Sequence, residues 1–266
     1  MISFFFLTHR KAGSGQIRGK QIGEYLGAKL NPPDGYQDDV CIYVKIPVPD
    51  DCPPNSYLDI MDAWQRIRWL QEHPEMKVIC MSKTSQEFMN GLSIHNTFLI
   101  PQHHCNYERI RRTRDKVTTV GYIGRFSGFD YPLKDTAKRL NEMGLEFKCY
   151  QDYKNRLDVV EFYKTIDIQI CFRMNNRQPP KLHSPLKLSN ACSFGIPTVS
   201  YPEDNYRVEF PGCFLPAPTI DTLFSFVEIL KNDPQVYEEL AHKGREKAEE
   251  YHIENIAKLY RELESK

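Results

Sequence analysis

Short apolar runs alternate along the chain with stretches whose apolar positions recur at helical spacing. The run from Ile2 to Thr8 is almost wholly apolar, which fits a strand covered on both faces. Beyond it, Ile17, Ile22, Leu26 and Leu30 recur near helical spacing and predict a helix ending at about Leu30, before a turn over residues 31–35. Val40 to Ile46 forms a second strand. Prolines 47, 49, 53 and 54 mark a loop. Leu58, Met61, Trp64, Ile67 and Leu70 then predict a helix from Asn55 or Ser56 to about Glu72. A third strand spans Lys77 to Met81, a short helix Lys83 to Asn90, and a fourth strand Thr97 to Ile100.

The pattern restarts after a charged interruption, Arg109 to Lys116. It predicts strands at Val117–Ile123, Leu145–Tyr150, Asp167–Phe172 and Ile196–Tyr201. Helices are predicted at Leu133–Met143, Leu157–Ile166 and Ser184–Phe194. The remainder from Thr219 reads as helical, broken at Asp233-Pro234 and bent at Gly244. Strands alternating with helices imply parallel sheets with helices on both faces. Two such series imply an α/β protein of two Rossmann-like domains facing a central cleft, residues 1–113 and 114–266. In such sheets ligands lie beyond the carboxyl ends of the strands.

At 266 residues the chain is long enough to bury two small cores. Lys+Arg and Asp+Glu are both 35, so the chain is no general polyanion binder, although a local basic groove stays open. Arg109 to Lys116 reads as the region between domains; a solvated helix end and a nucleic-acid arm are the alternatives. No segment approaches the roughly 18 apolar residues of a membrane span. The first apolar run is too short for a leader core, so a cytoplasmic protein is expected. Eight cysteines stand singly with no CxxC pair, the pattern of reduced core thiols.

The most informative stretch runs from His183 to Tyr201. Ser184 suits a helix N-cap, Pro185 the first helical position, and Gly195 the left-handed residue that ends a helix. Lys187 then lies in the first turn, where a cation meets the positive end of the helix dipole. An anion docked there would relieve that repulsion and pair the free first-turn amides; a lysine pointing into water is the plain alternative. Asn190, three residues on, shares the face of Lys187.

In the first half, Gly13, Ser14, Gly15 and Arg18 link the first strand to its helix, where backbone can approach a ligand. Taken alone, that stretch equally fits an ordinary tight turn. His9, Lys45 and His103 with His104 lie at strand ends and are cleft candidates. A zinc site from His103, His104 and Cys105 is disfavoured, because adjacent ligands point apart. Asp204, Tyr206 and Glu209 follow the last strand.

The segment Leu186 to Val199 resembles the donor-site helix and strand of the retaining GT-B glycosyltransferases, the glycosyl transferases group 1 family. Gly121 to Arg125 looks like the first strand of that family's C-terminal domain, whose Gly-Arg meets the donor diphosphate. Lys77 to Met89, Phe98 to Arg109 and Thr219 to Leu263 fall in matching order, so the resemblance covers nearly the whole chain. Where many relatives carry two glutamates eight residues apart, this chain has Leu182 and Asn190, and Lys187-x-x-Asn190 resembles a variant subgroup. The lysine often found after the Gly-Arg pair is replaced by Asp130 or Tyr131, leaving Lys134 or Lys187 to supply the second charge.

The resemblance implies a hexosyltransferase-like enzyme that uses a nucleoside diphosphate sugar such as a UDP-sugar as co-substrate. It implies retention of configuration and no further cofactor or catalytic metal; no Asp-x-Asp motif occurs. Arg125 and Lys187 would be catalytic, stabilising the departing diphosphate. Gly124, Arg125, Ser184, Lys187, Asn190 and Glu209 would hold the donor. His9, Gly13, Ser14, Gly15, Arg18, Lys45 and His103 would face the acceptor, which is a glycan, a small molecule or a nucleic acid. Two alternatives stay open: a sugar transferase acting on DNA bases, and a non-catalytic nucleotide-sugar-binding module.

Overall fold

A computed structural model describes residues 1–8, 13, 15–113, 115–174 and 182–265. His9 and Ser14 lie outside the described residues. The chain divides into two compact units. The first comprises Met1–His103, Gln178–Pro185 and Tyr251–Lys266, and the second His104–Arg177 and Leu186–Glu250. The division after His103, and the return of the C-terminal segment to the first unit, replace the single boundary expected at 113/114.

The first unit is built on β1 (Ile2–Phe5), a π-helical stretch Gly15–Gln21 running into α1 (Ile22–Leu26), β2 (Lys29–Leu30), β3 (Val40–Val44) and β4 (Ser56–Asp59). α2 (Ile67–Glu72), β5 (Lys77–Cys80), α3 (Lys83–Gly91) and β6 (Thr97–Leu99) follow. The six strands pair in parallel in the order β2-β1-β3-β4-β5-β6.

Two expectations are corrected here. Ser56–Asp59 is a strand, not the start of a helix. Tyr57 and Leu58 point to opposite faces and are both fully buried, so this central strand shows no alternation. Its Leu58 and Met61 match helical spacing only by coincidence. The first helix stops at Leu26, because Gly27 takes a left-handed φ of 65°, and Lys29–Leu30 then pairs with β1.

Arg18 is likewise not an outward-facing residue. Its guanidinium is buried against Asp59 at 2.5 Å and donates to the Ile100 carbonyl at 2.9 Å, while the Tyr260 hydroxyl donates to the same carboxylate at 3.2 Å. Burial works against the charge on Arg18, but Asp59 outweighs it and raises the pKa above the ordinary arginine value. The pair ties the first βα unit to the C-terminal helix Ile253–Arg261, whose Tyr260 also packs edge-on against Phe4.

The second unit begins with β7 (Thr119–Ile123), α4 (Leu133–Glu142), β8 (Glu146–Tyr150), α5 (Arg156–Tyr163) and β9 (Ile168–Cys171). It continues with α6 (Leu186–Phe194), β10 (Thr198–Ser200), α7 (Asp204–Glu209), β11 (Leu215–Pro216), α8 (Ile220–Asn232) and α9 (Pro234–Glu249). Its five parallel strands order as β11-β10-β9-β7-β8. Val120, Tyr122, Ile168, Ile170 and Val199 from three strands pack with Leu223, Val227 and Leu230 of α8.

Gly244 makes no bend. It sits inside α9, where a Cβ would lie 3.0 Å from the Cys192 sulfur, so it permits close packing on α6. The charged run is not a free basic arm. Arg109 pairs with Glu249 at 2.8 Å, Arg111 lies 4.0 Å from Glu238, and Arg112 pairs with the buried Asp167 at 3.0 Å. Asp167 also accepts from the backbone amides of Thr118 and Thr119, which anchors the start of β7. Of the eight free cysteines six are buried, and only Cys149 is exposed.

Candidate functional site

β7 delivers Gly124 and Arg125 to the carboxyl edge of the second sheet. Gly124 adopts a φ of 129°, a conformation that glycine takes without strain, and its amide donates to the Tyr150 carbonyl at 2.9 Å. The Tyr122 hydroxyl donates to the Arg125 carbonyl at 2.7 Å, fixing the turn. The Lys187 ammonium lies 4.5 Å from the centre of the Tyr122 ring and donates to its hydroxyl at 3.3 Å. A Cβ added to Gly124 would stand 3.0 Å from Lys187 Cε and Nζ. The loop after β7 and the first turn of α6 therefore meet at Gly124 and Lys187, and Arg125, next in that loop, is exposed.

That turn of α6 is held by the sheet. The Lys187 carbonyl accepts from Gln169 Nε2 at 3.0 Å, and Gln169 is itself held by the Tyr163 hydroxyl at 2.7 Å and Thr198 Oγ1 at 3.2 Å. Burial holds the Lys187 pKa below the ordinary value of 10.5, and the nearby charge of Arg173 adds to the fall. A desolvated cation at a helix N-terminus is an arrangement that an anion would stabilise.

Arg173 and Glu203 escaped the sequence reading. Arg173 lies two residues past β9 and Glu203 three past β10. They form a two-pronged pair: Nε donates to Oε1 at 3.1 Å and Nη2 to Oε2 at 2.5 Å. Glu203 is only 4% exposed. Burial opposes the Arg173 charge, but Glu203 overcomes it and raises the pKa above the ordinary value. Their position at carboxyl ends of neighbouring strands was the available signal.

Other expected residues fall elsewhere. Asn190 is buried, and its Oδ1 accepts from the Cys105 amide at 2.8 Å. Ser184 does not cap the helix, which starts at Leu186, and its buried hydroxyl has no hydrogen-bond partner. Gly195, with φ 72°, ends the helix as expected. Glu209 is buried at the end of α7. Lys134 is exposed on α4, and Leu182 is packed in the core of the first unit.

In the first unit, Gly13 has a φ of 101° and its carbonyl accepts from the Gln16 and Ile17 amides, while Gly15 opens the π-helical stretch. Lys45 follows β3 with a φ of 58° and pairs with Asp62 at 2.5 Å. His103 is buried, with Nε2 3.1 Å from Gln21 Oε1. Among the described residues no group of three or more His, Cys, Asp or Glu is arranged to hold a metal ion.

No protein-family profile matches the chain, and no curated protein matches it in sequence. Solved structures match its fold. A sucrose-phosphate synthase from Thermosynechococcus elongatus superposes with a TM-score of 0.67 at 12% identity over 99% of both chains. HepE of Anabaena, in complex with UDP-glucose, gives 0.66 at 10% identity over 100% of this chain and 99% of its own. An alpha-glucosyltransferase in complex with UDP and a 13-mer DNA containing an HMU base gives 0.54 at 9% identity, over 100% of this chain and 99% of its own. The chain has the GT-B fold, two Rossmann-like domains, and spans these neighbours nearly end to end. Among the described residues no helix is long and apolar enough to cross a membrane.

Proposed function

We propose that the protein is a glycosyltransferase that moves a sugar from a nucleoside diphosphate sugar, UDP-linked in the first instance, to an acceptor hydroxyl. The observation that supports this reading is the close approach of Gly124 and the buried Lys187 at the carboxyl edge of the second sheet, with Arg125 next in the same loop. The UDP and UDP-glucose complexes named for neighbours of the same fold support it.

Breaking the bond between sugar and diphosphate leaves negative charge on the departing phosphate. Arg125, Lys187 and the amides opening α6 would neutralise that charge in a site partly closed to water. In the retaining course implied by the family resemblance, a phosphate oxygen of the donor takes the proton of the acceptor hydroxyl. With side chains carrying the charge, chelation with EDTA should leave turnover unchanged; loss of turnover restored by Mg²⁺ would refute a metal-independent course.

Isothermal titration against UDP, UDP-glucose and the GDP- and ADP-sugars tests the reading. Wild type should bind at least one, and Lys187→Ala with Arg125→Ala should abolish it. Unchanged binding by the double variant, or no binding of any donor by wild type, refutes it. Donor hydrolysis by wild type separates an enzyme from a binding module. The DNA-acceptor alternative gains nothing from the 109–116 run, whose described arginines face Glu249, Glu238 and Asp167.

A further inference from the structure

We propose that Arg173 is a further cation of the diphosphate pocket and that Glu203 is its built-in counter-ion, displaced when a diphosphate binds. This rests on the donor-site reading above and deepens it.

The sheet order β10-β9-β7 places the three relevant strand ends side by side. Gly124 and Arg125 follow β7, Arg173 follows β9, and Glu203 follows β10. The charges act on the same groups: Arg173 and Glu203 both bear on Lys187 and on the buried Tyr206, and Arg173 also bears on Tyr122 beneath Lys187. Arg173 and Lys187 against the single carboxylate of Glu203 leave a local excess of positive charge, and Arg125 stands in the loop after the neighbouring β7, an arrangement suited to an anionic diphosphate.

The geometry of the pair makes exchange feasible. The Arg173 fork is engaged by both oxygens of one carboxylate, and a phosphate presents two oxygens in much the same way. A phosphate could therefore take over both hydrogen bonds without leaving the guanidinium unpaired. In the free protein the pair spares Arg173 and Lys187 the repulsion of uncompensated like charges. The carboxylate thus competes with the ligand, and its removal should tighten binding. A pair that served packing alone would behave oppositely, since loss of either partner would loosen the site.

The full-length chain should be titrated calorimetrically at low salt with inorganic pyrophosphate and, separately, with UDP. The variants are Glu203→Gln, Arg173→Gln and Arg173→Lys, each checked by thermal melting. Glu203→Asp, with a shorter reach, replaces Glu203→Gln if that variant fails to fold. We expect Glu203→Gln to bind pyrophosphate about tenfold more tightly and Arg173→Gln about tenfold more weakly. Arg173→Lys should lose nearly as much as Arg173→Gln, because it keeps the charge but not the fork. Weakening by both Glu203 and Arg173 variants, no change in either, wild-type affinity in Arg173→Lys, or failure of wild type to bind pyrophosphate would overturn the proposal. UDP binding no tighter than pyrophosphate would instead count against the nucleotide-sugar reading and leave the clamp standing.

Discussion

Replacing Gly124 with alanine tests the donor site at its narrowest point. Its φ of 129° is one that side chains rarely adopt, so the substitution should strain the backbone by about 1–3 kcal/mol. The added methyl would stand 3.0 Å from Lys187 Cε and Nζ, so the ammonium must shift by a few tenths of an ångström from its seat over Tyr122. Gly144→Ala is the matched control. Gly144 has a φ of 72° and lies in the turn between α4 and β8, where the new methyl would meet only Lys231 Nζ at an ordinary 3.6 Å. Both variants should lower the stability of the second unit by a similar amount in thermal melts. Only Gly124→Ala should weaken UDP binding by calorimetry, by roughly tenfold or about 1.4 kcal/mol. If Gly124→Ala binds UDP like wild type while melting like Gly144→Ala, the diphosphate does not depend on the seat of Lys187 beside Gly124, and the site is misplaced.

Three further outcomes are expected. Because burial depresses the Lys187 pKa, UDP affinity should begin to fall on the alkaline side below pH 10.5, and Lys187→Met should remove that step. The sign for stability is the reverse. The folded chain binds the proton less tightly than the unfolded one, so Lys187 penalises folding below its depressed pKa, and the penalty fades as pH rises from there to 10.5; denaturant melts of wild type and Lys187→Met would diverge accordingly. Asn190→Ala should destabilise the second unit by about 1–3 kcal/mol by stranding the Cys105 amide, yet leave the UDP Kd unchanged in the folded fraction. A thiol reagent should label Cys149 first in the native protein, and slowly at neutral pH, because partial burial pushes that thiol up to about 11.

The alternation of strands and helices was legible because the strands are short apolar runs, some closed by glycine or proline, as at Gly124 and Pro101. β4 was not, because a strand covered on both faces shows neither period, and its Leu58 with the following Met61 fell on helical spacing. The candidate residues of the proposed donor site were suggested by local signals: a lysine in the first turn of a helix is electrostatically out of place, and Gly-Arg at a strand end is a turn. The hydrogen bond of Asn190 to the Cys105 amide was not legible, because those residues stand 85 apart and meet only in the fold. Arg173 and Glu203 stand 30 apart in sequence and meet only because β9 and β10 are neighbours, which no local pattern encodes.

Charge shows the same division between local and tertiary information. The whole chain is neutral, and in its densest basic run Arg112 pairs with the buried Asp167 and Arg109 with Glu249. The proposed site cations are separated in sequence by 48 residues between Arg125 and Arg173 and by 14 between Arg173 and Lys187, so no run announces them. Parallel strands bring Arg173 and Lys187 to one edge, where restricted solvent access makes their charges count for more than they would on a surface. Binding of a dianion there should weaken with added salt far less steeply than contact with a polyelectrolyte, because few counterions are released. A steep salt dependence for a short duplex DNA, exceeding that for UDP, would mean that some other surface carries the dominant anion site.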